Sequence, residues 1–344
     1  MHLNERKDKM KDTNKAVAES EASGTSAAIA GGGTDFRRLA RRNYWKAHWP
    51  LYAFVAPTVI FMLVFCYYPM LGIQLAFKNW NPNLGIWGSH IAQTKEGTVD
   101  AFLHFKKFFE PEILEKLKNT VRLSTLRLLI GFPLPIVMVV FMNEMRVPHT
   151  KKLIQTLTYL PHFVSWVIIA GILKNFVATG SGFQEFCKAV FGKELLLFSN
   201  SDLFIVTLLV SDVWKEVGWS TIIYLAAIAG IDPSLEEAAM IDGANRRQKI
   251  CHIILPGIMP AVSINMIFAC SGILNGGFDQ VFNMYNSAVY SKGDILETYL
   301  YRIGVSGGDY SLSTALGLLT SLVSVTLMLI ANKIVEKLGG THIL

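Results

Sequence analysis

The sequence is poor in charged residues for its length. Asp, Glu, Lys and Arg make up 17% of its 344 residues, whereas hydrophobic residues make up 51%. A soluble globular domain normally contains about 25% charged residues. This composition argues against an ordinary soluble protein and favours a chain that lies largely within a membrane.

Cysteines and recognisable catalytic groupings are scarce as well. The four cysteines are scattered and form no CxxC pair, which predicts free thiols and argues against a disulfide framework or a metal site. The histidines form no HExxH motif, and no Ser/His/Asp arrangement stands out. We therefore expect neither a catalytic site nor a metal site in this chain.

The sequence also lacks a phosphate-binding loop. In the consensus GxxxxGK[ST], backbone N–H groups cradle the phosphates of a nucleotide. Gly192-Lys193 is followed by Glu194 and has no glycine at the required upstream spacing. We therefore expect no cofactor on this chain.

Long apolar stretches are abundant. A helix needs about 20 mostly apolar residues to cross a bilayer. Six stretches reach this length, namely residues 51–77, 117–142, 153–176, 203–230, 257–281 and 311–335. The sequence therefore predicts an all-α integral membrane protein with about six transmembrane helices.

Two segments precede the first apolar stretch. Residues 1–34 are rich in Lys, Glu, Ala, Ser and Gly, which predicts a disordered cytoplasmic tail. Residues 35–50 interleave Arg with aromatic residues, a composition typical of a helix in the headgroup region. A plain basic flank of the first span is the alternative interpretation. Residues 51–344 then form one transmembrane domain.

Positively charged residues indicate the orientation of the chain. Lys and Arg are concentrated in the N-terminal segments, in the loop 143–152, in the segment 231–256 and near the C-terminus. Because cytoplasmic loops carry an excess of Lys and Arg, six spans place all these segments and both termini in the cytoplasm. The net charge of +6 fits this bias, and no nucleic-acid-binding motif accompanies it. The long loop on the opposite side, 78–116, is predicted to pack as a small helical cap, with or without an external partner.

The segment 231–256, IDPSLEEAAMIDGANRRQKICHIILP, is polar and lies between two apolar stretches. Asp232-Pro233 is a helix start signal. Gly243 stands where a helix ends in the left-handed conformation, and Asn245 can cap a second short helix. The segment therefore predicts a helix, a tight bend and a second helix along the membrane face, where a partner can dock. An amphipathic re-entrant loop without a partner is the alternative.

The spacing within this segment resembles the EAA signature of the membrane subunits of binding-protein-dependent ABC importers. The residues assigned to it are Glu237, Ala238, Ala239, Gly243, Arg246, Ile253, Leu255 and Pro256. The resemblance implies the permease fold of a type I importer. It also implies that the segment is a coupling helix, which sits in a cleft of an ATPase subunit and transmits the closure of that subunit to the spans.

Three further stretches, 159–173, 212–232 and 297–304, resemble the oligo- and polysaccharide branch of these importers. The resemblance implies import of oligosaccharides from an extracytoplasmic solute-binding protein through the inner (plasma) membrane of a bacterium. It further implies a second homologous permease subunit and two ATPase subunits, on which ATP and magnesium are bound.

Polar residues within the predicted spans are candidates for a translocation path. Ionisable groups at membrane depth are costly and usually face a bundle interior or a path. The candidates in spans four and five are Asp212, Lys215, Glu216, Trp219, Asn275 and Gln280. The four residues of span four are spaced to share one helical face. A static ion pair between Lys215 and a neighbouring carboxylate is the alternative role for this face.

Three cations extend the hypothesis to acidic substrates. Arg127, Lys174 and Lys215 would tolerate a chain of uronic acids such as alginate or pectin fragments. Internal pairing of the same three cations is the alternative.

Other functions are less consistent with the sequence. An importer permease for a non-sugar solute would not account for the three sugar-branch stretches. A membrane-embedded transferase would need Asp-rich metal motifs on a loop, which the sequence lacks. A secondary transporter would show inverted repeats and no EAA segment. The sequence therefore favours a non-enzymatic permease subunit.

Overall fold

The computed structural model describes residues 33–94 and 96–341. The predicted disordered tail, 1–34, lies outside these residues except for its last two, which begin a helix. Within the described ranges the chain is helical, and strand pairing is limited to two isolated antiparallel bridges, Lys78–Ile91 and Gln93–Val99. The all-α prediction is confirmed for this part of the chain.

The described residues fall into two compact units, which are divided in the chain between Leu71 and Gly72. In the first unit, helix α1 (Gly33–Met62) continues into a π-helical turn (Leu63–Tyr67) and a 3₁₀ segment (Tyr68–Phe77) that crosses the boundary. The predicted interfacial segment, 35–50, is not separated from the first predicted span, because α1 runs through Pro50 without a break.

The second unit contains a cap formed by residues 78–94 and 96–110. It contains the helices Gly85–Gly88 and Leu103–Lys106, a 3₁₀ turn (Lys107–Phe109) and the two bridges. The Ser311 hydroxyl donates to the carbonyl oxygen of Lys78 at 2.6 Å and thereby ties the cap to the last helix. The predicted helical cap is present, but the bridges were not expected.

The other helices of six or more residues follow in order along the chain. They are α2 (Pro111–Gly131), α3 (Pro133–Asn143), α4 (Pro148–Tyr159), α5 (Trp166–Phe176), α6 (Gly182–Phe191), α7 (Ser201–Ala229), α8 (Pro233–Ile241), α9 (Leu255–Ser271), α10 (Phe278–Met284), α11 (Leu296–Tyr301) and α12 (Tyr310–Lys337). Short 3₁₀, π or α turns connect several of them, namely Leu160–Phe163, Arg246–Lys249, Ile250–Ile254, Gly272–Leu274, Ser287–Val289, Tyr290–Gly293 and Arg302–Ser306.

Four stretches of the described chain are long and apolar enough to cross a membrane. They are His48–Phe77, Pro111–Asn143, Arg246–Leu274 and Tyr310–Lys337. A fifth is the pair Pro148–Phe163 and Trp166–Phe176, whose halves meet at 98°. The remaining predicted span corresponds to α7, which has 29 residues and is long enough for a bilayer but carries charged residues in its middle.

Two predicted spans differ from the continuous helices that we expected. The span 153–176 passes from α4 into the 3₁₀ turn at Pro161, which has no N–H for helical hydrogen bonds, and is broken at Val164 and Ser165, whose backbone is extended. The span 257–281 ends at Leu274 instead. Asn275 and Gly276 follow, and Gly277 has a φ of 74°, in the left-handed region that glycine readily adopts. The polar residues 275–280 therefore lie at a helix break and on α10.

Helix α7 lies at the centre of the second unit and packs against α2, α3, α4 and α9. Its buried residues Phe204, Ile205 and Leu208 form a core cluster with residues of α2, α5 and α10. A Cβ at Gly218 would collide with the backbone of Thr158 in α4, so glycine permits close packing there. This packing holds the polar face of α7 against α2 and the helix break after α9.

Candidate functional site

Polar residues of α7 and α2 meet around a cavity of about 390 Å³, here called the central cavity. Its polar wall residues are Ser124, Arg127, Asp212, Glu216, Ser220 and Asn275. A second cavity of about 410 Å³ shares Arg127, Asp212 and Asn275 with it and extends along α10. The predicted path residues Asp212, Glu216 and Asn275 are therefore brought together.

Arg127 lies between the two cavities and holds the helix break after α9. Its Nη1 donates to the carbonyl oxygen of Gly276 at 2.6 Å, and its Nη2 donates to Oε1 of Gln280. Its Nε is buried without a hydrogen-bond partner and lies 3.9 Å from Oδ2 of Asp212. A Cβ at Gly277 would contact the guanidinium of Arg127, and the φ of 74° favours glycine at this position.

Gln280 connects α10 to α7. Its buried amide nitrogen donates to the carbonyl oxygen of Leu208 and to the hydroxyl of Ser211, both at 2.8 Å. Its side chain borders the second cavity, but both its amide nitrogen and its amide oxygen already form hydrogen bonds within the protein. Gln280 therefore serves first as a structural link.

Lys215 does not border either cavity, in contrast to the predicted shared face. Its side chain is only 7% exposed, and its Nζ donates to the carbonyl oxygen of His162 at 2.6 Å. It lies 3.2 Å from Oε1 of Glu216, whereas Asp212 faces Arg127. Lys215 therefore lies within reach of an ion pair with Glu216, and its ammonium group binds a carbonyl oxygen of the broken span outside the two cavities.

Trp219 lines a third cavity of about 230 Å³ beside Ser220. Its ring stacks on that of His162, with centroids 4.2 Å apart and planes 2° apart. His162 Nδ1 also lies 2.8 Å from Oε2 of Glu216. Sequence analysis did not single out His162, although Pro161 beside it is a local signal for a change in the helix.

The second cavity has a carboxyl that the sequence did not identify. Glu297, on α11 outside the predicted spans, lines this cavity together with Asp279. Its Oε2 is buried without a hydrogen-bond partner. Burial raises the pKa of the Glu297 carboxyl, and the nearby carboxylate of Asp279 raises it further.

The segment 231–256 has the predicted caps and bend. Oδ1 of Asp232 accepts from the N–H of Ser234 at 2.9 Å, and this bond lowers the pKa of the Asp232 carboxyl. Gly243 has a φ of 73° after α8. Asn245 and Gln248 form a capping box at the start of the next helical turn. The second helix is not separate from the following span, however, because one helical stretch runs from Arg246 to Leu274.

The signature residues lie mostly on the surface of this segment. Glu237, Ala238, Gly243, Arg246 and Pro256 are exposed, while Ala239, Ile253 and Leu255 are half-buried. A groove of about 370 Å³ follows the inside of the bend. Apolar side chains project at the end of α8, where Ile241 is 87% exposed. The arrangement offers a partner a shallow groove beside an apolar tip.

A contact that the sequence did not suggest joins this segment to the end of α3. Nε of Arg246 lies 3.8 Å from Oε2 of Glu144. The side chain of Arg246 is exposed and that of Glu144 is half-buried, so solvent weakens the pair. It places the bend next to the connection between α3 and α4.

The described residues contain no cluster of three or more His, Cys, Asp or Glu side chains that could hold a metal ion. The four cysteines are free thiols, as the sequence predicted. Two arrangements among the described residues are candidates for function, namely the polar cavities between the helices and the exposed bend after α8.

Known proteins resemble this chain over most of its length. Residues 131–338 match the family described as binding-protein-dependent transport system inner membrane component. Protein LplB of Bacillus subtilis (strain 168) is 37% identical over 310 residues, which are 90% of this chain and 93% of LplB. The polygalacturonan/rhamnogalacturonan transport system permease protein YteP of the same strain is 38% identical over 84% of this chain and 88% of YteP.

Solved structures show the same fold. One is the crystal structure of a bacterial ABC transporter involved in the import of the acidic polysaccharide alginate. A chain in it matches with a TM-score of 0.76 and 34% identity, over 87% of this chain and 99% of that chain. A second structure of a bacterial alginate ABC transporter, in complex with a periplasmic protein bound to alginate pentasaccharide, matches with a TM-score of 0.76 and 33% identity.

Proposed function

Because the chain belongs to the family of binding-protein-dependent transport system inner membrane components, we propose that it is the permease subunit of an ABC importer for acidic oligosaccharides. In this role it receives the sugar from an extracytoplasmic solute-binding protein and passes it into the cytoplasm of a bacterium. Its similarity to a chain of the alginate importer supports this assignment over a permease for a non-sugar solute.

The position of Arg127 supports the acidic character of the substrate. Arg127 is the cationic residue that borders both the central and the second cavity. Its buried Nε has no hydrogen-bond partner, and Asp212 lies 3.9 Å away. A uronate carboxylate that displaces Asp212 from this nitrogen would gain a charge-assisted hydrogen bond. Lys215 cannot take this role, because its ammonium group is buried against His162.

The other cavity residues suit sugar hydroxyls. Asp212, Glu216 and Asn275 offer oxygen acceptors, and Ser124 and Ser220 offer hydroxyl groups. We assign these residues to the translocation path, with Gln280 and Trp219 at its neighbouring cavities. Lys215 has a structural role outside the path, because its hydrogen bond to His162 joins the broken span α4–α5 to α7.

We assign the segment 231–256 to docking on an ATPase subunit. Its exposed apolar tip and the groove inside the bend fit insertion into a cleft. In the assembled importer this chain pairs with a second homologous permease subunit and two ATPase subunits, which bind ATP and magnesium. The Lys and Arg distribution supports a cytoplasmic location for both termini and for this segment.

Uptake by the reconstituted transporter tests the role of Arg127. We expect Arg127→Gln to lower uptake of a uronate oligosaccharide by about ten- to a hundredfold, the value of a hydrogen bond to a charged group. Uptake of a neutral oligosaccharide of equal length should change less. Arg122→Gln is the matched control, since Arg122 lies on the same helix but is exposed near Asp202.

Uptake of the two sugars distinguishes the acidic character of the substrate from the oligosaccharide assignment itself. If Arg127→Gln reduces uptake of both sugars equally at normal membrane abundance, the acidic assignment is wrong and the importer assignment stands. If the wild-type transporter moves neither sugar when its binding protein and ATP are present, the oligosaccharide assignment itself is wrong.

A further inference from the structure

An apolar groove of about 290 Å³, here called the apolar groove, lies between the last turn of α5 and the first half of α7. The segment 231–256 follows the opposite end of α7. Residues of α5, α6, α7 and the connection between α6 and α7 line the groove, namely Leu173, Phe176, Val177, Phe183, Leu197, Val206, Thr207, Val210, Ser211 and Trp214. It is separate from the polar cavities, with which it shares no wall residue.

The groove has little capacity for polar ligands. Its two hydroxyl groups already donate within α7, from Thr207 to the carbonyl oxygen of Leu203 at 2.8 Å and from Ser211 to that of Thr207 at 2.6 Å. Apart from the indole N–H of Trp214, the other wall side chains are hydrocarbon. A sugar bound here would lose hydrogen bonds to water, whereas a hydrocarbon chain would lose none.

A side-chain clamp fixes α6 over the groove. The amide nitrogen of buried Gln184 donates to the carbonyl oxygens of Val177 at 2.9 Å and Leu195 at 2.8 Å, and its Oε1 accepts from the N–H of Leu195 at 3.0 Å. The ring of Phe183 then packs on that of Phe176, with centroids 4.9 Å apart. Helix α6 is therefore a built wall of the groove.

The outer surface of α6 has two different sides. Phe186 and Val190, four residues apart, are exposed and apolar, at 61% and 57%. Glu185 and Lys188 project from another side, and Lys188 lies 3.4 Å from Oε1 of Glu194. A short helix with exposed aromatic and aliphatic residues on one side and charges on the other is typical of a helix at a membrane interface.

We propose that the apolar groove binds an acyl chain of a bilayer lipid and that α6 lies at the boundary between headgroups and acyl chains. The groove is continuous with exposed apolar residues of the membrane-embedded helices, including Ile172 on α5 and Val206, Val210 and Trp214 on α7. These side chains form an exposed apolar surface beside the groove, so in a bilayer a lipid tail would reach the site without crossing a polar region. Charged residues of α6 remain at headgroup level.

Trp214 is a native reporter of the occupant. The assembled transporter is placed in vesicles that contain lipids brominated on the acyl chains, which quench tryptophan fluorescence on contact. The Trp214 signal is the difference between the wild type and Trp214→Phe. Trp166→Phe gives the matched control, because Trp166 borders the second cavity and faces Lys215. We expect strong quenching of the Trp214 signal and weak quenching of the Trp166 signal.

Two outcomes would overturn the proposal. Quenching of Trp214 by water-soluble acrylamide but not by brominated lipid means a water-filled groove. Protection from both quenchers means that a partner subunit covers the groove. Val210→Phe narrows the groove and should weaken the quenching by lipid, whereas Val137→Phe, at an exposed position on α3, should leave it unchanged.

The position of α6 is tested independently with spin labels. Labels on cysteines that replace Phe186 and Val190 should collide mainly with oxygen, which concentrates in the bilayer. Labels that replace Glu185 and Lys188 should collide mainly with a water-soluble nickel chelate. Equal access of the chelate to all four positions would show that α6 lies in water and would contradict the proposal.

Discussion

Asp294, outside the predicted spans, forms hydrogen bonds and ion pairs with residues of two helical segments. Its side chain is fully buried. Its oxygens accept from Arg302 at 2.7 Å and from Thr298 at 2.8 Å, and Nζ of Lys116 lies 3.6 Å away. Arg302 also lies over the ring of Tyr290. One carboxylate thus compensates two cations and joins α2 to the start of α11.

We predict that Asp294→Asn destabilises the protein by about 3–5 kcal/mol, because it removes the charge that compensates Lys116 and Arg302. The measurement is the melting temperature in detergent, together with abundance in the membrane. Asp100→Asn is the control, since Asp100 pairs with Lys106 at the surface and such pairs contribute little. Equal melting of the two variants would contradict the prediction.

We predict that acid destabilises the cap through His104. Burial lowers the pKa of this histidine below its ordinary value of about 6.5. Its Nε2 lies 3.1 Å from Oδ1 of Asn79, and its Nδ1 is buried without a partner. Below the ordinary pKa the unfolded state binds the proton more readily, so stability falls as the pH drops from 7 towards 5. The slope of melting temperature against pH should be smaller in His104→Gln than in the wild type, and an unchanged slope would contradict the assignment.

The sequence predicted the conformation of single residues where that conformation is set by near neighbours in the chain. Asp232, Gly243 and Asn245 have the expected cap and bend conformations. Lys215 was expected to share a face with the residues three and four positions away. Its direction is set by a carbonyl of His162, which is distant in sequence, so periodicity alone did not reveal it.

Among the elements, the bend after α8 gives the sharpest test of coupling. We predict that Gly243→Val lowers stimulation of ATP hydrolysis by substrate while membrane abundance stays normal. A Cβ at Gly243 meets open space, so the effect comes from φ, which is 73° and costs a non-glycine residue about 1–2 kcal/mol.

Gly192→Val is the matched control for this prediction. Gly192 has a φ of 70° and the same open surroundings. It follows the last residue of α6, before the start of α7, whereas Gly243 lies in the segment after the end of α7. The same backbone strain there should leave stimulated hydrolysis intact. If both variants lose stimulation equally, the bend has no special role in coupling.

The positions of helices were predictable, but their breaks were less so. Apolar stretches of about 20 residues located the spans because bilayer thickness sets their length. The 98° bend between α4 and α5 lies next to His162, which contacts Lys215 and Glu216 of α7. Helix α9 ends before the predicted end of its span, next to Gly276. The carbonyl oxygen of Gly276 accepts a hydrogen bond from Arg127 of α2. Such contacts between distant segments have no local signature.

For the whole molecule, we predict six spans with both termini in the cytoplasm. A cysteine that replaces His90 in the cap should react with a membrane-impermeant reagent in intact cells. A cysteine that replaces Leu338, which is 81% exposed, should react only after permeabilisation. The reverse pattern would invert the topology and place the segment 231–256 on the side of the binding protein.

The polar interior has a consequence for how such a sequence can diverge. Several long side chains that join separate helical elements donate to backbone carbonyls: Arg127 to Gly276, Lys215 to His162, Gln280 to Leu208 and Gln184 to Val177. Every residue type supplies the same carbonyl oxygen, but few side chains can supply such a donor at the required reach. Among related chains, the donors should therefore be retained, whereas the acceptor positions can change identity wherever packing and φ allow.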